Sequence, residues 1–154
     1  MEVQKELKGT VLSAKLSGVI DENTNFNAQI GTTFSELTLD CQKITRLNSM
    51  GVKFWINYFT SLTGKGTKVS LINCPPPVVD QMSLVDTFHS NCHVESIMIP
   101  YECLNCSSEF VVKMTTADLK KDLTLPEQKC AKCSEKAMFS DIEDEYFAFL
   151  EYTK

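Results

Sequence analysis

Between Glu36 and Leu62 the spacing of apolar residues changes period, and that change constrains the fold more than any other feature of the chain. Leu37, Leu39 and Cys41 alternate with Glu36, Thr38 and Asp40, the pattern of a strand buried on one face. A short loop and a second extended piece follow, then a tight turn at Asn48-Ser49-Met50-Gly51. From there Val52, Trp55, Ile56, Phe59 and Leu62 recur at helical spacing, which predicts a helix with one apolar side. Asn48 and Ser49 are both good N-cap residues, able to accept a bond from an orphaned amide of its first turn, and for Ser49 a cap role is expected rather than phosphorylation. A strand that hands the chain to an exposed helix N-terminus makes that terminus the first place to look for a binding surface.

The rest of the first hundred residues repeats this alternation. Residues 3–19 read as two extended pieces, with a bend at Gly9-Thr10 or Gly18, and residues 21–30 as a short helix. Lys68 to Asn73 alternates as a strand, and Cys74-Pro75-Pro76-Pro77 ends it. Pro77 suits the first turn of a helix with Val78, Val79, Met82, Leu84, Val85 and Phe88 on its apolar side. A last strand is expected over Val94 to Ile99. The predicted order, β-β-α-β-α-β-α-β, is an α/β fold: a mixed sheet covered by helices, occupying residues 1–100.

Residues 101–154 have a different character. Cys103-Leu104-Asn105-Cys106 and Cys130-Ala131-Lys132-Cys133 form two C-x-x-C pairs separated by 23 residues. Two residues between paired cysteines let both sulfurs reach one ion across a tight turn, so Cys103, Cys106, Cys130 and Cys133 form a candidate four-thiolate metal site. The expected ion is Zn2+ in a structural role, because four protein ligands leave no position for water or substrate. Iron also suits four thiolates, and unmetalled thiols are the plain alternative. Neither pair opens a helix after a buried strand, as a redox C-x-x-C would. The module is read as zinc-ribbon-like, able to cap a sheet edge or form a homodimer. It ends in an acidic, then aromatic tail from Asp141 to Leu150, with Tyr146, Phe149 and Leu150 expected to dock in a groove as core.

Composition narrows the function classes. Arg46 is the single arginine, and the six lysines of residues 103–140 face five acidic residues, so nucleic-acid binding is not expected. Seven cysteines in an odd set fit a reducing, cytoplasmic setting, and no apolar run suits membrane insertion or a secretory leader. Cys41 is expected in the core, and His89, Cys92 and His93 form no recognisable catalytic arrangement. Without a phosphate loop, nucleophile elbow or distinctive carboxylate pair, the chain is read as a non-enzyme, with no catalytic residues assigned.

Residues 1 to about 100 resemble a STAS domain, the fold shared by anti-sigma factor antagonists and sulfate transporter tails. The residues that carry the resemblance are Leu16-Ser17-Gly18-Val19-Ile20-Asp21, Leu37-Thr38-Leu39-Asp40-Cys41, Ile44 through Val52, and Lys68 through Asn73. In partner-switching members a kinase phosphorylates the second hydroxyl residue of a D-S-S-G turn. Here Met50 occupies that position and Asn48 the aspartate position, so the switch is expected to be absent, with Ser49 the residual candidate for phosphorylation. The resemblance implies a regulatory or scaffolding protein that binds a protein partner through Asn48, Ser49, Met50, Gly51 and Lys53. The implied partner is an anti-sigma factor, a serine-kinase-like ATPase or a larger signalling assembly. Two alternatives are a STAS-type subunit of an ABC transport ATPase, and a zinc ribbon that touches nucleic acid or the transcription machinery.

Overall fold

The computed structural model describes residues 1–153. Strands β1 (Glu2–Lys8) and β2 (Val11–Ile20) pair antiparallel. Strands β3 (Glu36–Leu47), β4 (Lys68–Ile72) and β5 (His93–Val94) then add in parallel, giving a five-stranded mixed sheet in sequence order. Leu12, Leu37 and Val69 align in one buried row, and Ala14, Leu39, Leu71 and Val94 in the next. Their neighbours Ser13, Lys15, Thr38 and Ser70 point to the opposite, polar face, so the apolar side chains present one face to the helices. The mixed sheet with helices is the arrangement the alternating pattern predicted.

Helix α1 (Phe26–Gln29) is a single turn capped by Asn25, whose side chain accepts from the Ala28 amide. Helix α2 (Ser49–Gly64) buries Trp55, Tyr58, Phe59 and Leu62. The Trp55 ring stacks on Phe88 at 4.7 Å and its Nε1 donates to the Phe88 carbonyl over 3.0 Å. Truncating an aromatic so enclosed costs about 3–5 kcal/mol. Helix α3 (Pro76–Leu84) starts with Pro76 and Pro77 at positions whose amides have no helical acceptor. Among the described residues no helix is long and apolar enough to cross a membrane.

Several local expectations are corrected. Strand β3 is continuous rather than two pieces: its pairing with β2 jumps from Lys15–Asp40 to Ser17–Lys43, and again from Gly18–Ile44 to Val19–Arg46. Each jump leaves one extra residue on β3, a bulge that breaks the alternation without ending the strand. The α3 segment stops at Leu84, which is 76% exposed, and Phe88 reaches the core from a separate 3-10 turn at Asp86–Phe88. The strand expected over Val94 to Ile99 divides in two. Val94 ends the five-stranded sheet, Glu95 lies in neither strand, and the remainder belongs to β6 (Ser96–Cys103), which opens a second sheet. Glu95 at the crossing is polar and exposed, and residues 96–99 beyond it are buried without interruption.

The second sheet has the order β7-β6-β9-β8, with β7 (Glu109–Thr115), β8 (Gln128–Lys129) and β9 (Lys136–Phe139), all neighbours antiparallel. Helix α4 (Thr116–Lys121) follows β7. The tail forms a turn of helix, α5 (Glu143–Tyr146), then a 3-10 turn at Ala148–Tyr152. Tyr146, Phe147 and Phe149 are buried, as expected of core aromatics, and the hydrophobic cluster runs without a break from Leu12 to Phe149.

Candidate metal centre and helix-terminus surface

Each cysteine pair sits at the tip of a two-stranded hairpin. Cys103 to Cys106 turns β6 into β7, and Cys130 to Cys133 turns β8 into β9. Pairing of Cys103 with Ala137, and a bond from the Leu104 amide to the Lys136 carbonyl (3.1 Å), set the two tips side by side. The turns are built alike. The Cys103 amide donates to the Ser108 carbonyl and the Cys130 amide to that of Glu135. The Ser107 amide donates back to the Cys103 carbonyl and the Ser134 amide to that of Cys130. Ser107 and Ser134 both take the left-handed conformation, φ 61° and 62°.

This backbone aims amides at sulfur. The Asn105 and Cys106 amides point at Cys103 Sγ over 3.4 and 3.5 Å, and the Lys132 amide at Cys130 Sγ over 3.4 Å. The Ser108 hydroxyl, 3.0 Å from Cys106 Sγ, together with the Ser108 amide, lowers that thiol to about 6. The amides of Cys133 and Lys132 lower Cys130. The four sulfurs lie within 4.8 Å of one another, with Cys103–Cys133 at 3.4 Å and Cys106–Cys130 at 3.5 Å. A tetrahedral ion with bonds of about 2.3 Å to sulfur needs sulfurs about 3.8 Å apart, so the donor set fits a metal. The residues that hold the turns, Ser107, Ser108 and Ser134, are absent from the sequence expectations. The run Cys-x-x-Cys-Ser occurs twice, and that repeat is the signal that marks Ser107 and Ser134.

At the α2 N-terminus the cap is Asn48, not Ser49. The Asn48 side-chain oxygen accepts from the Gly51 amide (2.8 Å) and its Nδ2 donates to Glu22 (2.7 Å). An asparagine at this site bridges the helix to the loop after β2, so Ser49 becomes the first helical residue and is exposed. Gly51 is buried against Ile20. Met50 is 42% exposed and Lys53 is exposed beside it. Of the five residues expected to form the surface, Ser49, Met50 and Lys53 face outward, while Asn48 and Gly51 hold the helix in place. Glu22 is the residue sequence reasoning missed, because its partner lies 26 positions away.

Cys41, Cys74 and Cys92 lie outside the four-cysteine cluster, and burial raises Cys41 strongly and Cys92 to about 12. His89 is buried with neither ring nitrogen hydrogen-bonded among the described residues, its ring 6.0 Å from that of Phe149.

No family model matches the chain, and no curated protein matches it. Among solved structures the chain is similar to the anti-sigma factor antagonist SpoIIAA in its unphosphorylated form, at 18% identity and a TM-score of 0.39. The match covers 46% of this chain and 72% of that one. The mixed sheet covered by helices is consistent with the STAS-like fold that the sequence resemblance implies, and it is joined to a small cysteine-bearing sheet.

Proposed function

We propose that the protein is a non-catalytic regulatory or scaffolding module that binds a protein partner at the α2 N-terminus and is stapled by a structural Zn2+. The observation that carries the partner reading is the way Met50 is presented. It is an exposed, adaptable side chain on the first turn of a helix whose position is locked by Asn48–Glu22 and by the Gly51–Ile20 contact. With methionine in the place of a phosphorylatable residue, binding is constitutive or set by concentration. The partner class the resemblance favours is an anti-sigma factor or a serine-kinase-like ATPase.

Zinc is favoured for the metal because four thiolates form a closed, soft donor set, and the ion would supply folding free energy rather than a reaction. Cys103, Cys106, Cys130 and Cys133 would hold it, with the Asn105, Cys106 and Lys132 amides supporting the thiolate charge.

Affinity purification of the intact protein from its native cell, beside Met50→Glu and Lys53→Glu variants, tests the partner reading. A kinase-like ATPase recovered with the wild type and lost with both variants supports it. Equal recovery with all three proteins rules this surface out, and recovery of an ABC ATPase moves the protein to transport. Elemental analysis of the same preparation tests the metal, with one equivalent of zinc expected and its loss in Cys130→Ser.

A further inference from the structure

The outer strand of the second sheet has a self-complementary edge. Strand β7 pairs with β6 alone. The Cys103 amide bonds to the Ser108 carbonyl at one end of that ladder, and the Thr116 amide to the Glu95 carbonyl at the other. These two bonds set the alternation between them. Phe110, Val112 and Met114 stand opposite Tyr101, Ile99 and Ile97 at positions that exchange hydrogen bonds with β6, so the N–H and C=O groups of Glu109, Val111 and Lys113 point away from it. Pro100, which has no amide to give, sits opposite Val111, as that phase requires. The outward groups have no backbone partner among the described residues, and Val111 is 45% exposed.

We propose that β7 pairs antiparallel with β7 of a second copy about a two-fold axis at Val111, joining two four-stranded sheets into one of eight strands. The register follows from charge. Centred on Val111, Glu109 of each copy faces Lys113 of the other, and the two Val111 side chains meet on the axis. Sliding the pair to the neighbouring registers that keep the outward groups opposed sets Val111 against Glu109 or Lys113 and leaves the charges without complements. A lysine on an exposed edge ordinarily deters pairing, and here Glu109 answers it. Phe110, Val112 and Met114, half-buried on the other face, extend the apolar surface across the junction.

Sedimentation velocity of the zinc-loaded full chain, from about 1 µM to about 1 mM, tests the pairing. The wild type should form a dimer whose dissociation constant rises at least about tenfold in Lys113→Glu and in Glu109→Lys, since each substitution sets like charges opposite at both ends. An equimolar mixture of those two variants should restore the dimer, because every facing pair is again of opposite sign. Val111→Pro removes an amide that β6 does not use and should give a monomer with unchanged circular dichroism and zinc content. A wild type that stays monomeric across the range overturns the proposal. So does a dimer that is indifferent to Val111→Pro and to both charge reversals.

Discussion

The hydroxyl of Tyr146 donates a 2.6 Å hydrogen bond to the carbonyl of Met98, forty-eight residues earlier, and so completes a strand that β9 is too short to cover. Strand β9 pairs with β6 from Cys103 to Tyr101, the Ser140 amide reaches the Pro100 carbonyl, and the next outward carbonyl on that side is that of Met98. A second bond, from Ser83 Oγ to the Tyr146 carbonyl (3.0 Å), ties the same residue to α3. One tail residue thus ties β6 of the second sheet to helix α3, and burial holds its phenol well above the ordinary range.

Tyr146→Phe keeps the ring and leaves the buried Met98 carbonyl without a partner, which should cost about 1–3 kcal/mol. Urea unfolding should show this loss, and faster hydrogen exchange confined to β6 and the tail would place it. A variant as stable as the wild type would mean that water serves the carbonyl equally well.

Gly51 provides a test of how the α2 terminus is held. A Cβ there would run into the Ile20 backbone carbonyl, which has no flexible end to move aside. Gly51→Ala should destabilise the protein by about 1–3 kcal/mol despite the better helix propensity of alanine. Gly64, in the same helix, has open space where a Cβ would sit, and Gly64→Ala should instead stabilise by about 0.5–1 kcal/mol. Opposite signs in parallel denaturation curves would identify close approach as the reason for Gly51.

The two knuckles hold serine in a left-handed conformation that glycine adopts freely. Ser107→Gly and Ser134→Gly should each stabilise the metal-loaded protein by about 1 kcal/mol, whereas Ser107→Val should destabilise it by at least as much. Competition against a zinc chelator, read beside thermal unfolding, separates a gain in the fold from a change at the sulfurs.

His89 gives a pH dependence of definite sign. Burial lowers it below its ordinary value of 6.5, with the Asp86 carboxylate opposing that shift only in part. A histidine whose folded value is depressed contributes stability that is whole above its unfolded value and is lost as the pH falls from there toward the folded one. Stability should therefore decline below about pH 6.5, before the bulk of the carboxylates titrate. Trp55 bonds to the carbonyl of the residue before His89, so its fluorescence should report the change. His89→Phe should flatten this arm of the curve, and an unaltered arm would assign it to other groups.

The sequence by itself determined the local patterns and the chemistry of the cysteines. Apolar alternation at Leu37, Leu39 and Cys41, and helical spacing at Trp55, Phe59 and Leu62, are consequences of burying one side of an element, and each is complete within about ten residues. The two C-x-x-C pairs are likewise local, because two residues suffice to bring a pair of sulfurs onto one turn. What only the tertiary structure decided involves partners distant in the chain. The two knuckles meet because β9 pairs with β6, a relation no spacing records. Asn48 displaces Ser49 as the cap because Glu22 stands opposite its amide nitrogen. The strand read over Val94 to Ile99 divides at Glu95 because Val94 pairs with β4 whereas residues 96–99 pair with β7, and pairing partners leave no mark in the spacing. Periodicity reports whether a side chain is buried, and the fold alone decides against what.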